Sequence, residues 1–257
     1  MIFIDTHTHL YLKRFDEDRD AMIKRAFDAQ VKYMLMPNID MASLAPMMKL
    51  HKKHPAHCLP MIGLHPTSVD KDFTDNLRHI RFQIENNHFY AIGETGMDLY
   101  WDATFIEEQK ESLRQHILLA DKYKLPIVIH SRNAMDEILE VINESALPTV
   151  AGVFHCYPGD AQTAVRIVDM GYKIGVGGVI TYKKNNLTDV VKKVGLKHIV
   201  LETDAPFLPP VPHRGKRNES AYLPLVAKEL ARILKTDLQT VAEVTTQNAT
   251  ELFKIEL

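Results

Sequence analysis

The sequence predicts an α/β fold, a single (β/α)8 TIM barrel, from its eight short apolar runs, the helical patterns between them, and its length. The runs are five to seven residues long, rich in Val, Ile, Phe or Tyr, and mostly continuous rather than alternating. Such runs are typical of parallel strands that are buried on both faces. Eight strand–helix units in 257 residues match the size of one barrel, so one domain over residues 1–257 is predicted.

The predicted strands come first in each unit, and in chain order they lie at 1–5, 31–37, 58–63, 89–94, 125–130, 149–155, 171–177 and 198–204. Apolar residues three and four apart predict helices between them, at 18–30, 75–86, 105–124 and 161–170. Two more helical patterns, 219–235 and 238–253, are interpreted as the closing helix and a C-terminal addition. A doubly wound open sheet is the alternative, but no switch point divides the sequence into two halves.

Charge and cysteine content narrow the class of protein. The net charge of -2 argues against a basic protein that coats nucleic acid, although it is compatible with local binding of a few phosphates. Cys58 and Cys156 form no CxxC pair, which favours a reducing compartment. Because the sequence has no signal-like start and no membrane-length apolar run, we expect a cytoplasmic protein with no membrane partner. The oligomeric state is left open, and a monomer is compatible.

Histidines and acids stand at the ends of six of the eight runs. Barrel enzymes build their sites at the C-terminal ends of the strands, so these side chains are predicted to share one rim. His7 and His9 are two residues apart, a spacing that places both imidazoles on the same side of a strand. The predicted metal ligands are His7, His9, Glu94, His130, His155 and Asp204.

Simpler interpretations exist for single members of this set. A lone buried histidine is commonly a hydrogen-bonded core residue, and a buried acid can pair with Arg or Lys. Neither explains well why four histidines and two acids share one rim. The set is too large for one tetrahedral ion, and it predicts two divalent cations (Mg, Mn or Zn), about 3.5–4 Å apart, that share a carboxylate. Asp204 and Glu94 are the predicted catalytic residues, with Asp204 accepting the proton of the attacking water.

Basic and aromatic side chains near the same rim predict where substrate would bind. Arginine forks grip phosphate oxygens, and the predicted substrate-binding residues are His65, Arg132, Arg214 and Arg217. A solvated basic loop is the alternative for the segment after the eighth run. Tyr100 and Trp101 follow the fourth run, and they either stack on a base or cap the barrel.

The motifs together resemble a known family. The segments IDTHTHL, GLHP, IGETGMD, IHSR, FHCYPG, LETDAPFL, RGKRNE and VTTQNATELF are similar, from residue 2 to about 253, to those of the TatD metal-dependent deoxyribonucleases, within the amidohydrolase-like hydrolases. The resemblance implies a (β/α)8 barrel, the same six metal ligands, a contribution from His65, and DNA hydrolysis, often 3′-to-5′ on single-stranded ends. The chain departs from frequent family residues at Thr67, Asn133 and Met97.

Two other functions fit parts of the pattern. An amide or lactone hydrolase on the same barrel commonly bridges its metals with a carbamylated lysine at the end of strand four, where this chain has Glu94. Lys183 and Lys184 lie beyond the seventh run instead. A structural metal site or ion-pair network is the third hypothesis, but structural sites are usually four-coordinate and rich in cysteine. The resemblance to the TatD family implies DNA, with single-stranded ends, as the substrate.

Overall fold

Parallel strands alternate with helices along the chain in the computed structural model, which describes residues 1–147 and 149–257. The strands are β1 Phe3–Asp5, β2 Val31–Pro37, β3 Cys58–Met61, β4 Ile92–Asp98, β5 Ile127–Arg132, β6 Gly152–Phe154, β7 Lys173–Val176 and β8 Ile199–Leu201. The α-helices among these residues are α1 Arg19–Asp28, α2 Met41–Lys53, α3 Phe73–Asn86, α4 Ile106–Tyr123, α5 Met135–Ser145, α6 Ala161–Asp169, α7 Leu187–Val194, α8 Leu223–Leu234 and α9 Leu238–Phe253.

The strands form two parallel ladders, β1-β2-β3 and β4-β5-β6-β7-β8. Single parallel bridges span the two seams, from Ile62 to Ile92 and from Thr8 to Ala205. The predicted closed (β/α)8 barrel is therefore confirmed only in part. The α/β alternation and the parallel strands are present, but in the described residues the hydrogen-bonded ladder is interrupted between β3 and β4 and between β8 and β1. The architecture is TIM-barrel-like.

A small apolar cluster fills the space that the strands surround. It takes side chains from six strands and from the end of α9: Ile4, Tyr33, Leu35, Leu59, Met61, Val128, Val153, Val200, Leu252 and Phe253. A larger cluster lies between the strands and the surrounding helices. Because α9 packs against the interior cluster, its apolar face is buried there, and burial of such side chains contributes roughly 1.5–3 kcal/mol each.

Each of the eight predicted runs contains or overlaps one strand, and the six predicted helical segments correspond to α1, α3, α4, α6, α8 and α9. The predictions omitted α2, α5 and α7. The fourth run was placed too early, since β4 begins at Ile92 and continues four residues past Glu94 to Asp98. No helix in the described part of the chain is both long and apolar enough to cross a membrane.

Candidate metal centre

Strand alternation brings two histidines to one interior position: His130 on β5, and His155, which directly follows β6 and still donates its N–H to the carbonyl of Ile129 at 3.0 Å. Val128 and Val153 belong to the interior cluster, and His130 and His155 follow each of them by two residues. Side chains two apart point to the same face of a strand, so both imidazoles are directed inward above the apolar core.

Glu94 reaches the interior through an irregularity in β4. Ile92 pairs with Ile127 and Thr95 pairs with Ile129, so β4 has one residue more than β5 over the same span. A bulge of this kind re-aims a side chain. The Glu94 carboxylate is buried, with 3% of its side chain exposed.

Five imidazoles surround the Glu94 carboxylate, and its two oxygens face different groups of them. Oε1 lies 2.7 Å from His155 Nε2, 2.9 Å from His130 Nδ1 and 3.4 Å from His65 Nε2. Oε2 lies 3.1 Å from His7 Nε2 and 3.8 Å from His9 Nε2. One carboxylate therefore stands between two sets of nitrogen donors.

Asp204 completes the set on the His7–His9 side. Its Oδ1 lies 3.5 Å from His9 Nε2 and 3.9 Å from His7 Nε2. Its backbone N–H donates to the carbonyl of His7 at 2.9 Å, which ties the segment after β8 to the segment after β1. His7 and His9 lie beyond the end of β1, on either side of the parallel bridge between Thr8 and Ala205, and their ring centroids are 5.1 Å apart. Both face Glu94 and Asp204, as predicted, so the structure brings all six predicted ligands together.

The tautomer of His9 is set by Tyr11. The Tyr11 hydroxyl donates to the carbonyl of Pro37 at 2.7 Å and lies 3.0 Å from His9 Nδ1. Since that hydroxyl has only one proton, it must accept from Nδ1–H. The lone pair of Nε2 is thereby left facing Glu94 and Asp204, as metal binding requires.

A carboxylate lies behind each of the two inner histidines. Asp98 Oδ2 lies 3.0 Å from His130 Nε2, within hydrogen-bond distance, and Glu202 Oε1 lies farther away, 3.7 Å from His155 Nδ1. Such outer partners orient metal-binding imidazoles and fix which nitrogen faces the ion. His130 thus presents Nδ1 to the centre and His155 presents Nε2.

His65 differs from the other imidazoles. Its Nδ1 accepts the backbone N–H of Thr67 at 3.2 Å and lies 2.7 Å from the Thr67 hydroxyl. A neutral ring that accepts at Nδ1 carries its proton on Nε2, and this nitrogen is the one facing Glu94. His65 is therefore placed as a hydrogen-bond donor toward the centre.

Opposite charges hold the protein groups of this buried cluster together. Burial would raise the pKa of Glu94, but His155 and His7 hold it well below its usual range. Burial would lower the pKa of His155, but Glu94 raises it well above its usual range. Burial would raise the pKa of Asp204, but the neighbouring imidazoles of His9, His7 and His155 lower it. A divalent cation would take the place of the protons on these imidazoles.

Unpaired polar atoms indicate that the cluster fits metal ions. Both ring nitrogens of His7 and Nδ1 of His155 are buried without a hydrogen bond among the described residues. His7 Nε2 does lie 3.1 Å from Glu94 Oε2, but the two atoms do not form a hydrogen bond there. An unpaired buried donor or acceptor costs about 1–3 kcal/mol. Ligand atoms lie within 4.8 Å of one another in three overlapping groups, His7–His155–Asp204, His7–His9–Glu94 and His65–Glu94–His130. Imidazole and carboxylate donors suit divalent transition metals and Mg.

Comparisons with known proteins agree with this site. The family model described as TatD related DNase matches residues 4–254. The chain belongs to the TatD family. It is 33% identical to the uncharacterized metal-dependent hydrolase YabD of Bacillus subtilis (strain 168), over 99% of this chain and all of that protein. The crystal structure of YjjV, a TatD homolog from Escherichia coli K12, superposes with a TM-score of 0.92 at 32% identity, covering 99% of this chain and 98% of that one.

Membership in the TatD family makes the chain a metal-dependent hydrolase, and the buried donors described above are its candidate metal-binding residues. Glu94 stands where the alternative amide or lactone hydrolase would have a bridging lysine. Lys183 and Lys184 are exposed beyond β7.

The predicted substrate-binding arginines of this TatD-family chain fall into two classes. Arg132 and Arg214 lie over aromatic rings, Arg214 at 4.2 Å from the Tyr182 centroid, and neither forms an ion pair within residues 1–147 and 149–257. Arg217 instead places both terminal nitrogens 2.7 Å from Asp18. Its charge is neutralised by that partner, so substrate binding by Arg217 stays a prediction that this geometry does not favour.

Several residues of the site were missed from the sequence. Tyr11 and Asp98 orient His9 and His130, and Glu202 lies behind His155. Asp5 accepts hydrogen bonds from Thr203 and Ser220 beside Asp204. Burial raises the pKa of Asp5 to about 7, against its hydrogen bonds with Ser220 and Thr203. Asp98 and Glu202 lie inside the motifs IGETGMD and LETDAPFL. An acidic residue at the buried end of a strand could have indicated both of them.

Proposed function

We propose that this TatD-family hydrolase cleaves phosphodiester bonds of single-stranded DNA from its 3′ end with two divalent cations. The observation that carries the proposal is the Glu94 carboxylate, whose oxygens face separate groups of imidazoles, as a ligand shared by two ions would. Four carboxylates surround the centre, and two divalent cations would balance their charge: Glu94, Asp98, Glu202 and Asp204. Mg, Mn and Zn are the candidate ions.

Ions bound there would supply a water of lowered pKa and neutralise charge that develops on the phosphate. Asp204 has its carboxylate at the open edge of the cluster, with 15% of the side chain exposed, and it accepts the proton of the attacking water. His65 donates its Nε2–H to a phosphate oxygen, since Thr67 occupies Nδ1. Arg132 and Arg214 bind flanking phosphates through guanidinium groups that have no carboxylate partner in the described chain.

The charge of the chain favours local contacts with DNA. A net charge of -2 argues against an extended basic surface for a long duplex, so we expect contacts at the mouth of the site, where a strand end would enter. The description of the matching family as a related DNase supports DNA as the polymer.

The test uses 5′-labelled single-stranded DNA, EDTA-treated protein, and Mg, Mn or Zn added separately. A ladder that shortens from the 3′ end only when metal is added is the expected result. Glu94→Gln keeps the shape of the side chain but removes its charge, and we expect activity to fall by at least about 100-fold. Glu107→Gln, a change on the surface of α4, is the matched control and retains full activity.

Absence of cleavage with every metal, or equal cleavage by Glu94→Gln, would refute the nuclease proposal. Two parallel assays then identify the alternative substrate class. One uses a ribonucleotide version of the same oligonucleotide, and the other uses a panel of lactones and cyclic amides.

A further inference from the structure

Two exposed aromatic rings stand beside the metal centre without taking part in it. Trp101 is 69% exposed and Tyr100 is 54% exposed, so neither ring caps the barrel. Apolar surface that a fold leaves in contact with water next to a site is typical of a binding surface.

Arg132 organises the pair. Its guanidinium carbon lies 3.8 Å from the Tyr100 ring centroid and 5.1 Å from that of Trp101. The two rings meet edge to face, 5.0 Å apart at 87°. Arg132 therefore covers Tyr100, while the large indole of Trp101 keeps most of its surface in solvent.

The aromatic pair is anchored to a residue of the metal centre. Asp98 accepts the Tyr100 backbone N–H at 3.0 Å through Oδ1 and contacts His130 Nε2 through Oδ2. In the β4–β5 ladder, Asp98 is also the partner of Arg132. Trp101 and Asp98 line a cleft of about 270 Å³ that runs to the 66–70 segment following His65.

Charge completes the surface for a nucleotide. The face of the Arg132 guanidinium is used in stacking, and its N–H groups have no carboxylate partner in the described chain, unlike those of Arg217. An aromatic plane beside a free guanidinium edge matches a base joined to a phosphate.

We infer that Trp101, positioned by Tyr100 and Arg132, is a stacking subsite for one base of single-stranded DNA, and that Arg132 binds the adjoining phosphate. The inference rests on the proposed nuclease function. Every base has a π-face, so the subsite accepts any sequence but requires a base that is unstacked from its neighbours. It selects single strands over duplex.

Binding is measured without cleavage, in EDTA, through the fluorescence of Trp101, which is the one tryptophan of the sequence. Protein is titrated with hexathymidylate and with an abasic hexamer that has the same phosphates. We expect the thymidine strand to quench the emission, and the abasic strand to bind at least about tenfold more weakly without quenching it.

Variants are compared by the anisotropy of labelled hexathymidylate. Trp101→Ala is expected to weaken binding about tenfold or more, while Trp101→Phe retains most of the affinity. Phe82→Ala is the matched control, because Phe82 is an exposed aromatic residue (58%) on the surface of α3, and it leaves affinity unchanged.

Equal affinity for the thymidine and abasic strands, no binding of either, or unchanged affinity in Trp101→Ala would overturn the stacking subsite. These outcomes are separate from those of the cleavage assay. If the protein cleaves DNA with metal but binds abasic DNA equally well, the proposed function stands and the stacking subsite is refuted. If the thymidine strand quenches the emission but no cleavage occurs, the base-binding surface stands and the nuclease function is refuted.

Discussion

Replacement of His116 by glutamine is predicted to remove a large part of the acid sensitivity of the fold. His116 lies fully buried in α4, where Nδ1 donates to the carbonyl of Ser112 at 2.7 Å and Nε2 accepts the N–H of Leu64 at 3.1 Å. Leu64 precedes His65, so this bond also holds the segment that brings His65 to the centre. Protonation would put a second N–H against Leu64 and leave a buried charge without a partner.

The size of the effect follows from the pKa. Burial lowers the pKa of His116 to about 4, from 6.5 when exposed. Because the unfolded chain binds this proton first, the folded state has its full stability above pH 6.5 and loses it as pH falls toward 4. The loss amounts to about 2 kcal/mol at pH 5 and about 3 kcal/mol at pH 4, at 1.36 kcal/mol for each pKa unit.

Urea unfolding at pH 7, 6, 5 and 4 in EDTA measures this loss. The free energy of unfolding of His116→Gln is expected to fall by about 3 kcal/mol less than that of the wild type between pH 7 and 4. His88→Gln changes an exposed histidine and should follow the wild type. Parallel curves for His116→Gln and the wild type would refute the buried, neutral state of His116.

Four further substitutions test other parts of the structure. Tyr11→Phe removes the acceptor of His9 Nδ1–H, and metal affinity measured by chelator competition should fall about 10- to 100-fold, whereas an unchanged affinity would contradict the tautomer assignment. Arg217→Gln should lower the urea midpoint and leave kcat/KM for DNA unchanged, whereas Arg132→Gln should lower kcat/KM and leave the urea midpoint unchanged. A lowered kcat/KM in Arg217→Gln with an unchanged midpoint would restore Arg217 as a substrate-binding residue. Phe253→Ala in α9 should cost about 3–5 kcal/mol of unfolding free energy, and a loss below about 1 kcal/mol would mean that α9 does not close the interior core.

The strands and the ligand set were predictable because both follow from local pattern. Continuous apolar runs indicate buried strands, and a polar residue at the end of such a run is uncommon unless it has a function. The same rule failed in β4, where the apolar run stops at Glu94 but the strand continues through buried polar residues to Asp98. The polar residues at the end of β4 are explained by their role at the centre and not by their burial. Because the apolar pattern ends before Asp98, this residue was missed.

Partners distant in sequence could not be predicted from one chain. Arg217 and Asp18 are 199 positions apart, and nothing local to either residue indicates the pair. The same holds for Tyr11, whose role depends on the carbonyl of Pro37. Among the helices, α5 carries apolar residues three and four apart and was predictable from that spacing, whereas α2 contains Pro46, which usually interrupts a helix.

The count of bound metal ions tests the central claim most directly. After equilibrium dialysis against Mn or Zn, elemental analysis should find two ions in each wild-type chain and fewer than two in Glu94→Gln, with Glu107→Gln as the control that keeps both. Two ions retained at wild-type affinity in Glu94→Gln, or none bound by the wild type with any of the metals, would contradict a centre built around this carboxylate.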